Sequence, residues 1–157
     1  MPAADAECLA CELASGARPL PGGRIHETAH WLVEHCIGPL GVGTLVVKPR
    51  RHVLHVADLT EDEAAELGPL LHRGSSVVSE LCDPEQVYVC LWSHAGAVPV
   101  HIHFVVQPIV RADIDAFRVH GPALQLAMFD GAPLPDAAAV EAFADTARTL
   151  FASAPPS

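Results

Sequence analysis

Basic side chains are scarce in this chain of 157 residues: nine Lys and Arg stand against 19 Asp and Glu, giving a formal net charge of -10, and Lys48 is its single lysine. A protein that grips duplex nucleic acid or an anionic membrane needs a basic footprint. Neither a nucleic-acid polymer nor a membrane is therefore an expected partner, whereas a small anion needs only a few local donors. No stretch approaches the roughly 18 to 20 uninterrupted apolar residues of a membrane span, and the alanine-rich start lacks the basic and apolar regions of a secretory signal. A cytoplasmic location is the expectation. No G-x-G-x-x-G or Walker-type loop is present, which excludes the common glycine-loop phosphate grips. Repeats and long polar linkers are also missing, so residues 1–157 read as one domain.

What is abundant is histidine, ten residues, together with five cysteines. An odd number of cysteines cannot all pair within one chain, and only Cys8 and Cys11 have a suggestive spacing. Cys90 sits in the apolar run Val87 to Trp92 as a small core residue would. Short extended segments are expected at Ile25 to Glu27, Trp31 to Cys36 and Thr44 to Val47, the last closed by Pro49. Thr60-Glu61-Asp62-Glu63 has the form of a capping box. It opens a helix to about Leu81, with Leu67, Leu71, Val78 and Leu81 on one stripe and a bend or break expected at Gly68-Pro69. Further strands are expected at Val87 to Trp92 and Val100 to Gln107. A last helix begins near Asp136 with Val140, Phe143, Ala147 and Phe151 on one face. Extended segments with short connections, and helices set apart from them, favour an α+β fold with an antiparallel sheet of about five strands.

The segment Val100-His101-Ile102-His103-Phe104-Val105-Val106-Gln107-Pro108 carries the most chemistry. Alternate residues of a strand share a face, which puts His101, His103 and Val105 together, with the two imidazoles about 6 to 7 Å apart at Cα. Upstream lie Cys8-x-x-Cys11 and Gly43-Thr44-Leu45-Val46-Val47-Lys48-Pro49-Arg50-Arg51-His52, and Gly96 stands five residues before His101. In this order and spacing the motifs resemble the histidine-triad superfamily of nucleotide-binding hydrolases and transferases. The likeness covers a core of about residues 8–110; the helical extension at about 134–151 lies outside it.

The resemblance implies a histidine-triad fold and gives His103 the place of the family's middle histidine, the nucleophile that forms a nucleotidyl-histidine. A neutral imidazole suits that task, and a nearby carbonyl is expected to hold its other ring nitrogen protonated. His101 supports it. In members with the Cys-x-x-Cys pair, the equivalents of Cys8, Cys11, His52 and His101 bind structural zinc, with His55 the rival to His52. A small nucleotide substrate and a homodimer are implied in the same way.

Three positions depart from the pattern: Val105 stands for the third histidine, Ala97 for the glutamine that contacts phosphate, and Cys36 for an acidic residue at the ribose. A shift of one motif position would make His101 the middle histidine, but Gly96 and Pro108 fit the unshifted frame. Ser93 and His94 are candidates for phosphate contact, and Trp31 for the lining of a base pocket. Lys48, Arg50 and Arg51 form a local basic cluster able to steer an anion. The activity implied is cleavage of a phosphoanhydride or phosphoramidate bond in a small nucleotide. The alternatives are a nucleotide- or metabolite-binding zinc protein that has lost hydrolysis, and a nucleotidyl transferase with an acceptor other than water.

Overall fold

A computed structural model of the chain describes residues 8–94 and 101–153. Among them the elements run α1 (Leu9–Ser15), β1 (Arg24–Glu27), β2 (Trp31–His35), β3 (Leu45–Pro49), α2 (Glu61–Cys82), β4 (Gln86–Leu91), β5 (Phe104–Ile109), α3 (Arg111–Phe117), α4 (Pro122–Gly131) and α5 (Ala137–Ala152). The five strands form one sheet in the order β1-β2-β3-β5-β4, every pair antiparallel, so the fold is α+β as the pattern of extended segments implied.

The alternation of side chains along the strands divides the core. Trp31, Val33, Leu45, Val47 and Val106 point to the face covered by α2 and α5, where they meet Leu70, Val77, Val78, Phe143, Ala144 and Ala147. The opposite face presents Val105 and Ile109 to Leu124 and Met128 of α4, with Ile114 and Phe117 of α3 at the margin. These two helices fall in the region after Val110, where the sequence offered no motif.

Helix α2 is opened by the expected capping box: Thr60 Oγ1 accepts from the Glu63 N–H at 3.2 Å, and the Thr60 N–H donates to Glu63 Oε2 at 2.8 Å. The helix then continues through Pro69 without the anticipated break. Gly68 and Pro69 lie on its exposed side, so the carbonyl that loses its partner to the proline faces water and the lost bond is tolerated. The buried stripe is centred on Leu70, Gly74, Val77 and Val78, with Leu67, Leu71 and Leu81 at its edge. Helix α5 begins where Asp136 caps the Ala139 N–H at 3.0 Å, and it buries Val140, Phe143, Ala147 and Phe151 as its periodicity suggested.

Two boundaries differ where they bear on function. Cys8 and Cys11 fall at the start of a short helix where the sequence predicts no element, Cys8 at its N-cap and Cys11 within α1. The last core strand starts at Phe104, not Val100, so His101 and His103 lie on the lead-in to β5. Gly96, Ala97, Pro99 and Val100 lie outside the described residues.

Candidate functional site

Lys48 is buried, not a solvated steering charge. It sits on β3 with 1 % of its side chain exposed, and Nζ donates to Glu34 Oε2 at 2.8 Å and to the Ala10 carbonyl at 2.9 Å. Arg50 reaches Glu27 at 3.1 Å, and Arg51 reaches Glu63 at 2.8 Å. The basic cluster expected to attract an anion is thus committed to three carboxylates. An ammonium in a dry interior needs such partners, because unpaired burial costs several kcal/mol. The bond to Ala10 has a second effect: it ties α1 to the sheet.

That tie brings the cysteines to the histidines. The Ile102 N–H donates to the Val53 carbonyl at 2.9 Å, which joins the segment carrying His101 to the one carrying His52. One ligand atom from each of Cys8, Cys11, His52 and His101 then lies within 4.8 Å of the others. Cys11 Sγ is 3.2 Å from His52 Nδ1 and 3.5 Å from His101 Nδ1, and the two imidazole rings meet edge to face at 5.2 Å between centroids. His55 is exposed at the start of a 3-10 turn, Val56–Asp58, and takes no part.

His101 is completely buried, and its Nε2 makes no hydrogen bond. Burial, followed by the neighbouring charges of His52 and Lys48, pushes its pKa down to about 4, so the ring is neutral at ordinary pH. Two thiols and two imidazoles converging from separate elements are a donor set suited to a closed tetrahedral zinc site, and these residues fit that ion.

His103 is positioned by its own backbone and by Ser93. Its Nδ1 lies 3.1 Å from the His101 carbonyl and 3.0 Å from Ser93 Oγ, while its own backbone N–H donates to the same Ser93 hydroxyl at 3.1 Å. The carbonyl can only accept, so it selects the tautomer with the proton on Nδ1 and leaves the Nε2 lone pair available. Burial holds the His103 pKa below the usual imidazole value, with the charge of Lys48 acting in the same direction. The neutral ring is the nucleophilic form.

The other candidates are placed as follows. Ser93, considered for phosphate contact, is instead committed to His103. His94 is exposed beside it. Val105 is buried in the apolar cluster beneath α4 and offers no polar atom. Cys36 packs at the edge of that cluster, its Sγ accepting from the Gly38 N–H at 3.3 Å, and burial raises its thiol pKa. Trp31 does not line a pocket. It is 0 % exposed in the main core, and its indole N–H donates to the Glu63 carbonyl at 2.8 Å.

Sequence reasoning passed over Trp92 and Gln125. The Trp92 indole N–H donates to Gln125 Oε1 at 3.1 Å, and Gln125 in turn donates to Gln107 Oε1 at 3.0 Å. A tryptophan at a strand end, next to a serine in the loop before the histidines, was the available signal. Among the histidines with no motif partner, His30 pairs with Glu66 at 2.7 Å, and His26 stacks on Phe151 at 4.8 Å. His35 bridges the Cys36 carbonyl and the Gly43 N–H.

No protein-family profile matches the chain. Solved structures do. A Hit-like protein involved in cell-cycle regulation from Bartonella henselae is 15 % identical with a TM-score of 0.70, over 93 % of this chain and 97 % of that one. A zinc-bound histidine triad family protein from Mycobacterium smegmatis is 21 % identical with a TM-score of 0.68, over 93 % and 94 %. A hypothetical histidine triad nucleotide-binding protein from Sulfolobus tokodaii is 18 % identical with a TM-score of 0.70, over 92 % and 91 %. These matches extend beyond the core of about residues 8–110 that the sequence motifs covered. The chain has the fold of the histidine-triad proteins.

Proposed function

We propose that the protein is a zinc-containing nucleotide hydrolase that cleaves a phosphoanhydride or phosphoramidate bond of a small nucleotide through His103. The observation that carries this reading is the tether on His103: a carbonyl and a hydroxyl hold Nδ1 and leave Nε2 as the free nucleophile. In the first step the Nε2 lone pair attacks phosphorus, a P–N bond forms, and the P–O or P–N bond to the leaving group breaks. The leaving group takes the electron pair and a proton from solvent. In the second step a water oxygen attacks phosphorus, the nucleotidyl-histidine bond breaks, and a proton returns to solvent with the imidazole restored.

Cys8, Cys11, His52 and His101 would hold the zinc, which supplies a structural cross-link between α1 and the segment bearing His103. On this reading Cys36, in the place of the family's acidic residue at the ribose, borders the nucleoside, and His94 borders the phosphate. The comparison with the zinc-bound relative supports the metal, and the fold supports a nucleotide.

A second reading, nucleotide binding without turnover, is favoured by one observation: Val105, in the place of the third histidine, is packed against α4 and gives no hydrogen to a phosphate oxygen. Loss of one preorganised donor commonly costs 10² to 10³ in rate. The deciding experiment is incubation with diadenosine polyphosphates and with adenosine 5′-phosphoramidate. The hydrolase reading expects slow turnover, abolished in His103→Ala, and a trapped nucleotidyl adduct on His103. Turnover unchanged by His103→Ala refutes the mechanism, and a ligand-induced melting shift with no turnover favours the binding reading. Discharge to an added acceptor faster than to water would identify a transferase.

Metal analysis tests the zinc separately. Protein purified without chelators should contain about one zinc per chain, and Cys8→Ser should lower it; metal-free wild type overturns the assignment. A homodimer is part of the same proposal. The sheet ends at β4, whose outer edge pairs with no strand among the described residues, and light scattering at twice the chain mass is the expected result. A location in the cytoplasm is proposed on the same footing; no helix among the described residues is long and apolar enough to cross a membrane.

A further inference from the structure

Trp92 is 64 % exposed, yet it is held. Its indole N–H ends a chain of buried amides: the Gln107 amide nitrogen donates to the Leu40 carbonyl at 3.2 Å, and Gln125 Nε2 donates to Gln107 Oε1 at 3.0 Å. Gln125 Oε1 then accepts from Trp92 at 3.1 Å. Gln107 is completely buried and Gln125 nearly so. Surface tryptophans are ordinarily free to seek apolar cover, and ordering one in water costs side-chain entropy that the ring's own burial here does not return. The arrangement makes physical sense if the exposed ring is a preorganised face for something that arrives.

Its position says what arrives. β4 and β5 are antiparallel, and their register ends with Leu91 across from Phe104; Trp92 and His103 are the residues that follow and precede this last pair. The next residue, Ser93, is the hydroxyl that holds His103. Cys90, two residues back, lies across from Val105 and bonds Gln125, so Trp92 shares the sheet face that carries Val105. In the strand order β2-β3-β5-β4, the end of β4 that carries Trp92 is level with the start of β5 where His103 leads in, whereas Cys36, just past the end of β2, lies two strands away on the other side and towards the opposite end of the sheet, beyond the Leu45–Val106 pair. With the nucleoside on the Cys36 side, as proposed above, the group beyond the attacked phosphorus is directed to the Trp92 side.

The geometry points to Trp92 as the specificity-determining residue for the leaving group, selecting a planar aromatic one such as the second nucleoside of a dinucleoside polyphosphate. This inference rests on the nucleotide reading of His103. The ring stacks on the departing base and takes no part in bond making or breaking. Its contribution is to hold the scissile bond over His103 in substrates that carry a flat group at their far end.

The test compares two substrates with the same adenylyl group. Diadenosine tetraphosphate has an aromatic base in its leaving group, whereas adenosine 5′-phosphoramidate releases ammonia. Base–aromatic stacking is worth enough that Trp92→Ala should lower kcat/KM for diadenosine tetraphosphate about tenfold or more. Turnover of the phosphoramidate should stay within about twofold, and Trp92→Phe should recover most of the loss. Equal losses on both substrates, or no loss on either, overturn the inference while leaving the nucleotide reading intact. If wild type turns over neither substrate, hydrolysis fails and a binding readout decides the rest. The other tryptophan, Trp31, is fully buried, so ligand-dependent quenching of tryptophan fluorescence reports on Trp92. Quenching by diadenosine tetraphosphate that is absent with the phosphoramidate, and absent in Trp92→Phe, supports the assignment. No quenching in wild type overturns it.

Discussion

Replacing Lys48 with methionine removes the charge from a pair in which both side chains are almost completely dry. Glu34 is 2 % exposed; its Oε2 accepts from Lys48 at 2.8 Å, its Oε1 has no hydrogen bond, and the nearest other cation is Arg24 Nε at 3.6 Å. The two residues are diagonal neighbours across β2 and β3, since Leu32 faces Lys48 and Glu34 faces Val46. After Lys48→Met the Glu34 carboxylate is left buried with one poorly placed partner, a situation that costs about 3–5 kcal/mol. That is a large share of the roughly 5–15 kcal/mol that stabilises a domain. It corresponds to a fall in Tm of roughly 6–20 °C for a chain of this size. Glu34→Leu should cost about as much, because it strands the ammonium with only the Ala10 carbonyl. The double variant Glu34→Leu/Lys48→Met removes both charges and keeps apolar volume. Its loss should fall to about 1 kcal/mol, the value of the forfeited bond to Ala10. Urea unfolding of all four proteins, at fixed zinc and under reducing conditions, gives the coupling directly. Single losses below about 1 kcal/mol that simply add in the double variant would refute the argument.

Other outcomes follow from equally local features. The Arg51 guanidinium, with help from the Thr60 backbone, holds the Glu63 pKa down to about 2 from its ordinary 4.5. Because the folded value is depressed, the pair stabilises fully above about pH 5 and its contribution fades as pH falls towards 2. With Arg51 half in solvent, the stability gap between wild type and Glu63→Gln should be about 2 kcal/mol at pH 6. A gap that stays constant down to pH 2.5 contradicts the assignment. Gly43 has φ +95°, and a Cβ there would sit 2.5 Å from Cys82 Sγ. Gly43→Ala should therefore cost about 2–4 kcal/mol from strain and crowding together. Adding Cys82→Ala should return only the crowding part in a melting comparison. Truncating Leu124, fully buried against the second sheet face, to alanine should cost about 2–5 kcal/mol in urea unfolding, and a loss below 1 kcal/mol would mean that α4 is only loosely applied.

The elements legible in sequence were those whose signal is local. Thr60 and Glu63 announce a helix start because the cap needs no distant partner, and the β-branched run at Val46 and Val47 marks a strand on its own. The resemblance to the histidine-triad pattern implied Cys8, Cys11, His52 and His101 as the ligand set but left His55 as the rival to His52, and only the fold brings His52 to the cysteines. Lys48 was misread because nothing in its neighbourhood reveals Glu34; the pairing exists only once β2 lies beside β3. Trp31 was misread for a related reason, as an aromatic on a short strand looks the same whether it faces a ligand or a helix. α3 and α4 left little pattern because they are short and lie over the second sheet face, and α4 presents apolar residues on several sides. Pro69 shows the reverse for the break it suggested: a strong local signal does not end the helix because its consequence falls in water.

The hydrogen bond from Lys48 to the Ala10 carbonyl bears on how the protein opens. A terminal helix of seven residues such as α1 would ordinarily fray on its own, exchanging its amides quickly while the sheet stays closed. Here α1 cannot leave without uncovering a buried ammonium and scattering two of the four candidate ligands. Its amides should accordingly exchange at nearly the rate of those in β2 and β3, making the N-terminal turn part of the central sheet's cooperative unit. Removing the proposed zinc should then be felt as faster exchange in the middle of β3, although no residue of that strand is a candidate ligand.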